Sequence, residues 1–363
     1  EQRRRHIFTK IGGGPETALY KSADKGETWR KISSGLPSGD MGGTGLAISP
    51  VNNNFMYLII EATGTEGGFF RSTDRGESWE KMSDYNTSGQ YYAIIFCDPV
   101  DQDKVYSLET FSKLTEDGGK TWKNIGNDNR HVDDHAFWID PSDTQHFMIG
   151  GDGGLYETFD AGKKWLFKSN LAVTQFYRVG LDNDYPFYNV YGGTQDNNTF
   201  GGPSGNTTEE GVSSEEWYTV LGGDGFWVQI DPSDPNVVYC EYQYGNVYRF
   251  DKKTGELLYI KPQPGENELT YKWNWNTPLI LSSHSNKRLY MAADKVFRSD
   301  DQGNSWKVIS GDITTQTDRN TWPVMGHYWS SDAVAKDVST SPWGTGVSLV
   351  ESPLNENLLF AGH

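Results

Sequence analysis

Six acidic side chains stand out for their surroundings. Asp133 and Asp134 lie inside HVDDH at 131–135, Asp152 inside GGDGG at 150–154, and Asp196 inside TQDNN at 194–198. Asp224 lies inside GGDGF at 222–226 and Glu241 inside YCEYQ at 239–243. Histidines bracket the first two, and glycine, amide or aromatic neighbours flank the other four. Paired carboxyls are the chemistry of glycosidic cleavage, at about 5–5.5 Å for retention or about 6.5–9.5 Å for inversion. Asp133, Asp134, Asp152 and Asp224 are therefore candidate catalytic acids, with Asp196 and Glu241 in the same pool. For Asp152 and Asp224 a second reading stands beside this one, because Gly-Gly-Asp-Gly also ends strands for structural reasons.

Other chemistries fit less well. His131, Asp133, Asp134 and His135 have metal-ligand types. Adjacent strand residues point to opposite faces, so the four cannot reach one ion. No metal or cofactor is assigned; calcium would suit the acidic loops, but no calcium-loop pattern is present. Gly-x-Ser-x-Gly, P-loop and His-Glu-x-x-His motifs are absent. Three Asn-x-Ser/Thr triplets, at Asn86, Asn197 and Asn206, are no more than chance supplies.

The elements that must position these residues come from a repeat. Ser/Thr-x-Asp-x-Gly-x-x-Trp is written five times, with Asp24/Trp29, Asp74/Trp79, Asp117/Trp122, Asp160/Trp165 and Asp301/Trp306 as its Asp and Trp. The tryptophans are 50, 43, 43 and 141 residues apart, and 141 is about three times 47. Two copies have thus decayed, and FDKKTGE at 250–256 looks like one. Upstream of each box lies a second repeat, two apolar runs around a turn, as in IIFCDPVDQDKVYSL and VQIDPSDPNVVYCEY. Four strands every 43–50 residues make a propeller blade. The chain starts with half a blade and ends with the other half. This predicts an all-β, seven-bladed propeller of four-stranded antiparallel blades, with one blade shared between the two ends. The box Asp should bind amides of its own turn, and the box Trp should pack between blades.

Propeller geometry gathers the loops before first strands and after second strands on one face. That face should carry Gln90–Tyr92, His131–His135, Gln175–Tyr177, Gly223–Phe226 and Trp273–Trp275, with Glu61, Asp152, Gln195–Asn197 and Glu241–Gln243. Aromatic faces and amides suit sugars. The candidate ligand-binding residues are His131, His135, Gln195, Asp196, Asn197, Phe226, Glu241, Trp273 and Trp275. Trp273 and Trp275 can equally be core on one strand face. The stretch 307–346 is longer than a normal connection: the turns at Ser283 and Pro353 are 70 residues apart, against 42–51 elsewhere. It is expected to cover part of the loop face, through Trp322, His327 and Trp329.

The boxes resemble the Asp-box (BNR) repeat of sialidases, sortilin-type receptors and tandem-propeller xyloglucan hydrolases. QRRRH, RSTDRGESWEKMS, HVDDHAFWIDP, GGTQDNNTFGGPS, GGDGFW and WNWNTPLILSSHSNKRLY further resemble a large group of secreted bacterial proteins described as sortilin-like or glycosyl-hydrolase-like. The resemblance covers nearly the whole chain. It implies a longer protein of two propellers, of which residues 1–363 would be one. In the xyloglucan hydrolases the cleft lies between two propellers and each gives a carboxylate, so one ring would be half the machinery. Sialidase chemistry is not expected, because only Arg130 and Arg178 fall near the loop face. The resemblance implies a glycan-recognising propeller of a polysaccharide-binding or -processing protein. The alternatives are a sortilin-like peptide-binding ring and half of a two-propeller glycoside hydrolase. Partners would be a polysaccharide or glycoprotein glycan, and a second propeller of the same protein.

Bulk properties agree with this class. The chain is 14% aromatic with 41 glycines, which suits short strands and tight turns. Its net charge of −17 argues against nucleic acid, since phosphates need basic patches. The basic cluster Arg3-Arg4-Arg5 reads as a solvated strand edge. No apolar run approaches the about 20 residues of a membrane span. Cys97 and Cys240 sit in apolar runs and read as buried free thiols. The chain opens without Met and without a signal-peptide pattern, as a mature, trimmed or excised form would. The resemblance implies a secreted, periplasmic or cell-surface bacterial protein.

Overall fold

The apolar runs form strands because they can bury both faces. Tyr57, Leu58, Ile59 and Ile60 are all within 1% of complete burial on one second strand. A computed structural model describes residues 4–171 and 174–363; Arg3 lies outside them. The fold is all-β, a seven-bladed propeller. Among the described residues there are six four-stranded antiparallel sheets, each a meander in chain order. Three two-stranded sheets stand beside them: the half-blades Leu19–Lys21 with Arg30–Ile32 and Ser348–Ser352 with Asn355–Gly362, and an N-terminal hairpin, Arg4–His6 with Thr9–Ile11. The helical content of these residues is two single 3₁₀ turns, Ser214–Glu216 and Arg319–Thr321. Among the described residues no helix is long and apolar enough to cross a membrane.

The chain forms two units. The first holds Glu1–Ala172 and Asp318–Thr340, the second Val173–Thr317 and Ser341–His363. The first contains the N-terminal half-blade and the blades whose first strands are Met41–Ile48, Ile94–Cys97 and Asp134–Ile139. The second contains the blades starting at Phe176–Leu181, Val228–Ile230 and Leu279–Leu281, and the C-terminal half-blade.

The five boxes build one turn five times. In the second, the N–H groups of Glu77 and Ser78 donate to Asp74 Oδ1, both at 3.0 Å, and Gly76 N–H donates to Ser72 Oγ at 2.8 Å. Asp24, Asp117, Asp160 and Asp301 accept the equivalent amides of Thr28, Thr121, Lys164 and Ser305. The turn needs two consecutive left-handed residues, such as Arg75 (φ 63°) and Gly76 (φ 78°). Glycine takes the second without a Cβ penalty. The decayed copy keeps the Asp but not the turn: Asp251 accepts from Lys253 and Thr254, two and three residues on, and only Gly255 (φ 75°) is left-handed.

The box tryptophans reach back to the preceding blade. Trp165 Nε1 donates to Gly126 O and Trp306 Nε1 to Ile260 O, both at 2.6 Å. Trp122 donates to Ser83 Oγ and stacks on Tyr85 at 4.0 Å. Trp79 is buried with Ile32 of the N-terminal half-blade. Trp29 is the exception, at 62% exposure, its indole bonded to Gly26 of its own turn.

Within the first unit, 318–340 returns to the N-terminus. Asp337 accepts Thr9 Oγ1 at 2.6 Å and Lys10 N–H at 3.1 Å, and pairs with Arg319 at 3.1 Å. Gly12 N–H donates to Val334 O, and Trp322 meets Phe8 edge-on at 4.9 Å.

Both devices are testable. Hydrogen bonds, led by those from Thr28, hold the half-buried Asp24 carboxyl down at about 2, and those of Ser78 push Asp74 the same way. A depressed carboxyl adds stability that is present above its unfolded value of about 4 and lost as pH falls through its folded value. Urea midpoints should therefore fall steeply between about pH 4 and pH 2. Asp117→Ala, which strands the Lys120 and Thr121 amides, should lower stability by about 1–3 kcal/mol at pH 7. Asp337→Ala should speed proteolytic cleavage within 318–340 by about ten-fold, measured by limited digestion of the folded chain.

Candidate functional site

In the first unit, Asp134 opens the first strand of its blade and is 2% exposed. Arg130 grips it with both guanidinium nitrogens, at 2.6 and 2.7 Å, and Ser112 Oγ donates to it as well. The Arg130 guanidinium lies 4.8 Å above the Trp165 ring. A buried, bidentate ion pair of this kind is an anchor.

Its neighbours face outward. Asp133 holds a left-handed φ of 67° and accepts the Tyr92 hydroxyl. Burial first, then Asp133 itself, pushes the Tyr92 phenol up from its ordinary value. The ladder shifts register between Asp134 and Ala136, and the extra residue is His135. Such bulges re-aim a side chain. The His135 ring stacks on Tyr92 at 5.3 Å and 9°, with Nε2 3.4 Å from Asp152 Oδ1. His131 Nδ1 is 2.7 Å from Val132 O, and a Cβ on Gly153 would come within 2.1 Å of His131 Cβ. Among the described residues no group of three or more His, Cys, Asp or Glu is placed to hold a metal.

The second unit repeats the device with aromatic content. Its first blade has the same bulge between Phe176 and Arg178, which aims Tyr177 outward. Tyr177 stacks on Phe226 at 4.9 Å, Phe226 meets Trp275 edge-on at 6.4 Å, and Tyr244 meets Trp275 at 5.1 Å. Phe226 is buried, whereas Tyr177, Tyr244 and Trp275 are exposed. Gln195 Oε1 accepts the Tyr177 hydroxyl at 2.5 Å, and Asn197 Nδ2 donates to Gln195 O.

Backbone bonds fix this rim. Gly225 N–H donates to Thr194 O, Asn198 N–H to Gly223 O, Phe226 N–H to Glu241 O and Tyr244 N–H to Trp275 O. Asp224, 2% exposed, accepts the Asp196 N–H on Oδ1 at 3.0 Å, and its own N–H donates to Gln243 Oε1. Four successive loops are thereby stitched together.

Among solved structures, the chain is similar to a GH74 enzyme from Niastella koreensis, at 14% identity over 84% of this chain and 67% of that one, with TM-score 0.33. It is similar to the GH74 xyloglucanase from Xanthomonas campestris, at 14% identity over 97% of this chain and 48% of that one, with TM-score 0.34. YCF48 bound to D1 peptide matches at 13% identity over 82% and 86%, with TM-score 0.30. The chain thus spans about half the length of the xyloglucanase. No family profile matches the chain, and no curated protein matches it. At these scores the similarities carry no argument about activity.

The structure sorts the candidates. In the first unit, Asp133, His135 and Asp152 form one polar cluster with Tyr92, while Asp134 serves Arg130. In the second, Gln195, Asp196, Asn197, Asp224, Phe226 and Trp275 share one rim. Trp273 is in the core, stacked on Phe297 at 5.3 Å, with Lys261 Nζ 5.1 Å above its ring. Glu241 is fully buried, on the strand whose Tyr239 shares a core cluster with Trp273. Of the long segment, Trp322 packs on Phe8, while His327 and Trp329 pack on each other at 4.9 Å. Val334 and Glu61 crowd the same glycine, Gly42. Tyr244 and Lys261 carry no sequence signal; Tyr244 lies one residue beyond the Glu241–Gln243 loop. Both cysteines are free, and burial pushes the Cys97 thiol up to about 12.

Asp134→Ala would leave the Arg130 guanidinium buried and unpaired. Chemical denaturation should show a loss of about 3–5 kcal/mol.

Proposed function

We propose that this chain is a glycan-recognising propeller that takes a polysaccharide on the rim of its second unit. The observation that carries this reading is the strip of Tyr177, Trp275 and Tyr244 around buried Phe226, bordered by Gln195, Asp196 and Asn197. Sugar rings present C–H faces to aromatic rings and hydroxyls to amides and carboxylates. The left-handed turn at Asp196 (φ 57°) and Asn198 (φ 75°) turns polar groups outward at the strip's edge. A rim tied by backbone bonds is pre-organised, which lowers the ordering cost of binding. In this reading the protein acts outside the cytoplasm, where polysaccharide is met, and a second propeller of a longer protein would add the remainder of a cleft.

Affinity electrophoresis against plant, algal and bacterial polysaccharides tests it. Retention by at least one polymer, weakened about ten-fold by Trp275→Ala and unchanged by Trp29→Ala, is the expected result. No retention by any polymer would remove the reading. Release of reducing ends that Asp133→Asn or Asp224→Asn abolishes would make the chain a self-sufficient hydrolase instead of a binding ring.

A further inference from the structure

The second strands of the six complete blades share one register position, with tyrosine in five of them. Tyr57, Tyr106, Tyr191, Tyr239 and Tyr290 occupy it, all buried, and Met148 stands there in the remaining blade. Two residues later, on the same strand face, stand Ile59, Leu108, Gly150, Gly193, Glu241 and Ala292. Five blades thus fill this core position with an apolar or small residue, and one fills it with a carboxylic acid. Glu241 is 0% exposed, and neither carboxyl oxygen has a hydrogen-bond partner. The Trp227 amide favours the charged form from outside hydrogen-bonding geometry. A bare carboxylate in such a place costs several kcal/mol, so the group carries its proton.

Its surroundings are connected to the aromatic strip by two routes. The Glu241 carbonyl accepts the N–H of Phe226, at 3.3 Å. Lys261, the cation whose field reaches the carboxyl, lies over Trp273, two residues from Trp275. Lys261 Nζ is otherwise only 3.5 Å from Asn246 Oδ1. Burial disfavours the charged form of both groups, raising the carboxyl and lowering the ammonium, while each one's charge would favour the other's. Cys240, the adjacent thiol, is itself pushed up by burial and then by Glu241. Asp224, across the Phe226 loop, is the remaining acid on the neighbouring element.

We propose that Glu241 is a proton-holding positioning residue. With its proton it keeps Phe226 and the Trp273–Trp275 segment in place; without it the carboxylate draws Lys261 off Trp273 and loosens the strip. The step moves one proton to solvent and breaks no covalent bond. This deepens the proposed glycan reading and rests on it for its biological meaning, but the switch itself is a property of the ligand-free chain. The sign follows from linkage. A carboxyl whose folded value is raised contributes stability below its unfolded value, about 4.3, and loses it as pH rises through the folded value.

Three readouts on the full chain test this. Infrared difference spectra at neutral pH should show a protonated-carboxyl C=O band that Glu241→Gln removes. Acrylamide quenching of tryptophan should climb along a one-proton curve as pH rises in the wild type and stay flat in Glu241→Gln. Lys261→Met should keep the infrared band and lose the quenching rise, because no ammonium is left to move. A missing infrared band, or the same quenching rise in wild type and Glu241→Gln, would overturn the proposal. Retention on xyloglucan gels, used as the ligand probe, separates the two ideas. Retention that weakens along the same curve supports both, and retention that is constant in pH overturns the link to the strip. If the quenching curve is present but no polymer is retained at any pH, the switch stands and the glycan reading fails.

Discussion

The indole N–H of a box tryptophan, donated to the end of the preceding blade, is the contact on which the rest depends. A four-stranded blade leaves its outer strand with one unpaired edge, and edges invite slippage or pairing elsewhere. Trp165 on Gly126, Trp306 on Ile260 and Trp122 on Ser83 pin their three blades to the strand behind, at the end where the box turn lies, while Trp79 is packed against the N-terminal half-blade without an indole hydrogen bond. Once that end is fixed, the opposite ends of the first and second strands have little freedom. There the chain can spend residues on polar and aromatic groups rather than on packing. The box Asp sits one step behind this contact: by satisfying its turn's amides it delivers the tryptophan at a set angle.

At that opposite end, the two units use one backbone device for two chemistries. A bulge at the start of a first strand turns a ring outward onto the ring of a neighbouring loop. In one unit this yields His135 on Tyr92 with Asp133 and Asp152 beside them, a wet and ionisable cluster. In the other it yields Tyr177 on Phe226, continued by Trp275 and Tyr244, a drier surface suited to C–H contacts. The strand register is the same, and the side chain occupying the bulge decides the character of the face.

Much of the architecture was legible because repeats state it several times over. Blade number, the half-blades and the role of the box Asp all follow from spacing, and even the decayed box at Asp251 keeps an amide-accepting Asp at the turn. The site was legible only as a set of loops. Sequence could not divide Asp133 from Asp134, since the alternation of a strand is broken at that very point by a bulge. Nor could it divide Trp273 from Trp275: a period of two would put both on one face, yet the segment before Leu279 is irregular, so one ring packs into the core and the other does not. Glu241 was legible as an acid near the rim. Its burial came from its register with Tyr239, which matters more than its glycine-poor, polar surroundings in the sequence. Lys261 left no trace, because its importance lies entirely in what it stands over.

The segment 318–340 carries a temporal consequence. Asp337 holds Thr9 and Lys10 across more than 300 residues of sequence, so the first unit is assembled from stretches that lie on either side of most of the second. Loop closure over that distance is entropically slow. As the chain leaves the ribosome, the blades beginning at Met41, Ile94 and Asp134 can form in order. The N-terminal strand Thr9–Ile11 must wait, its buried Lys10 and Ile11 uncovered, until almost the whole second unit has been made.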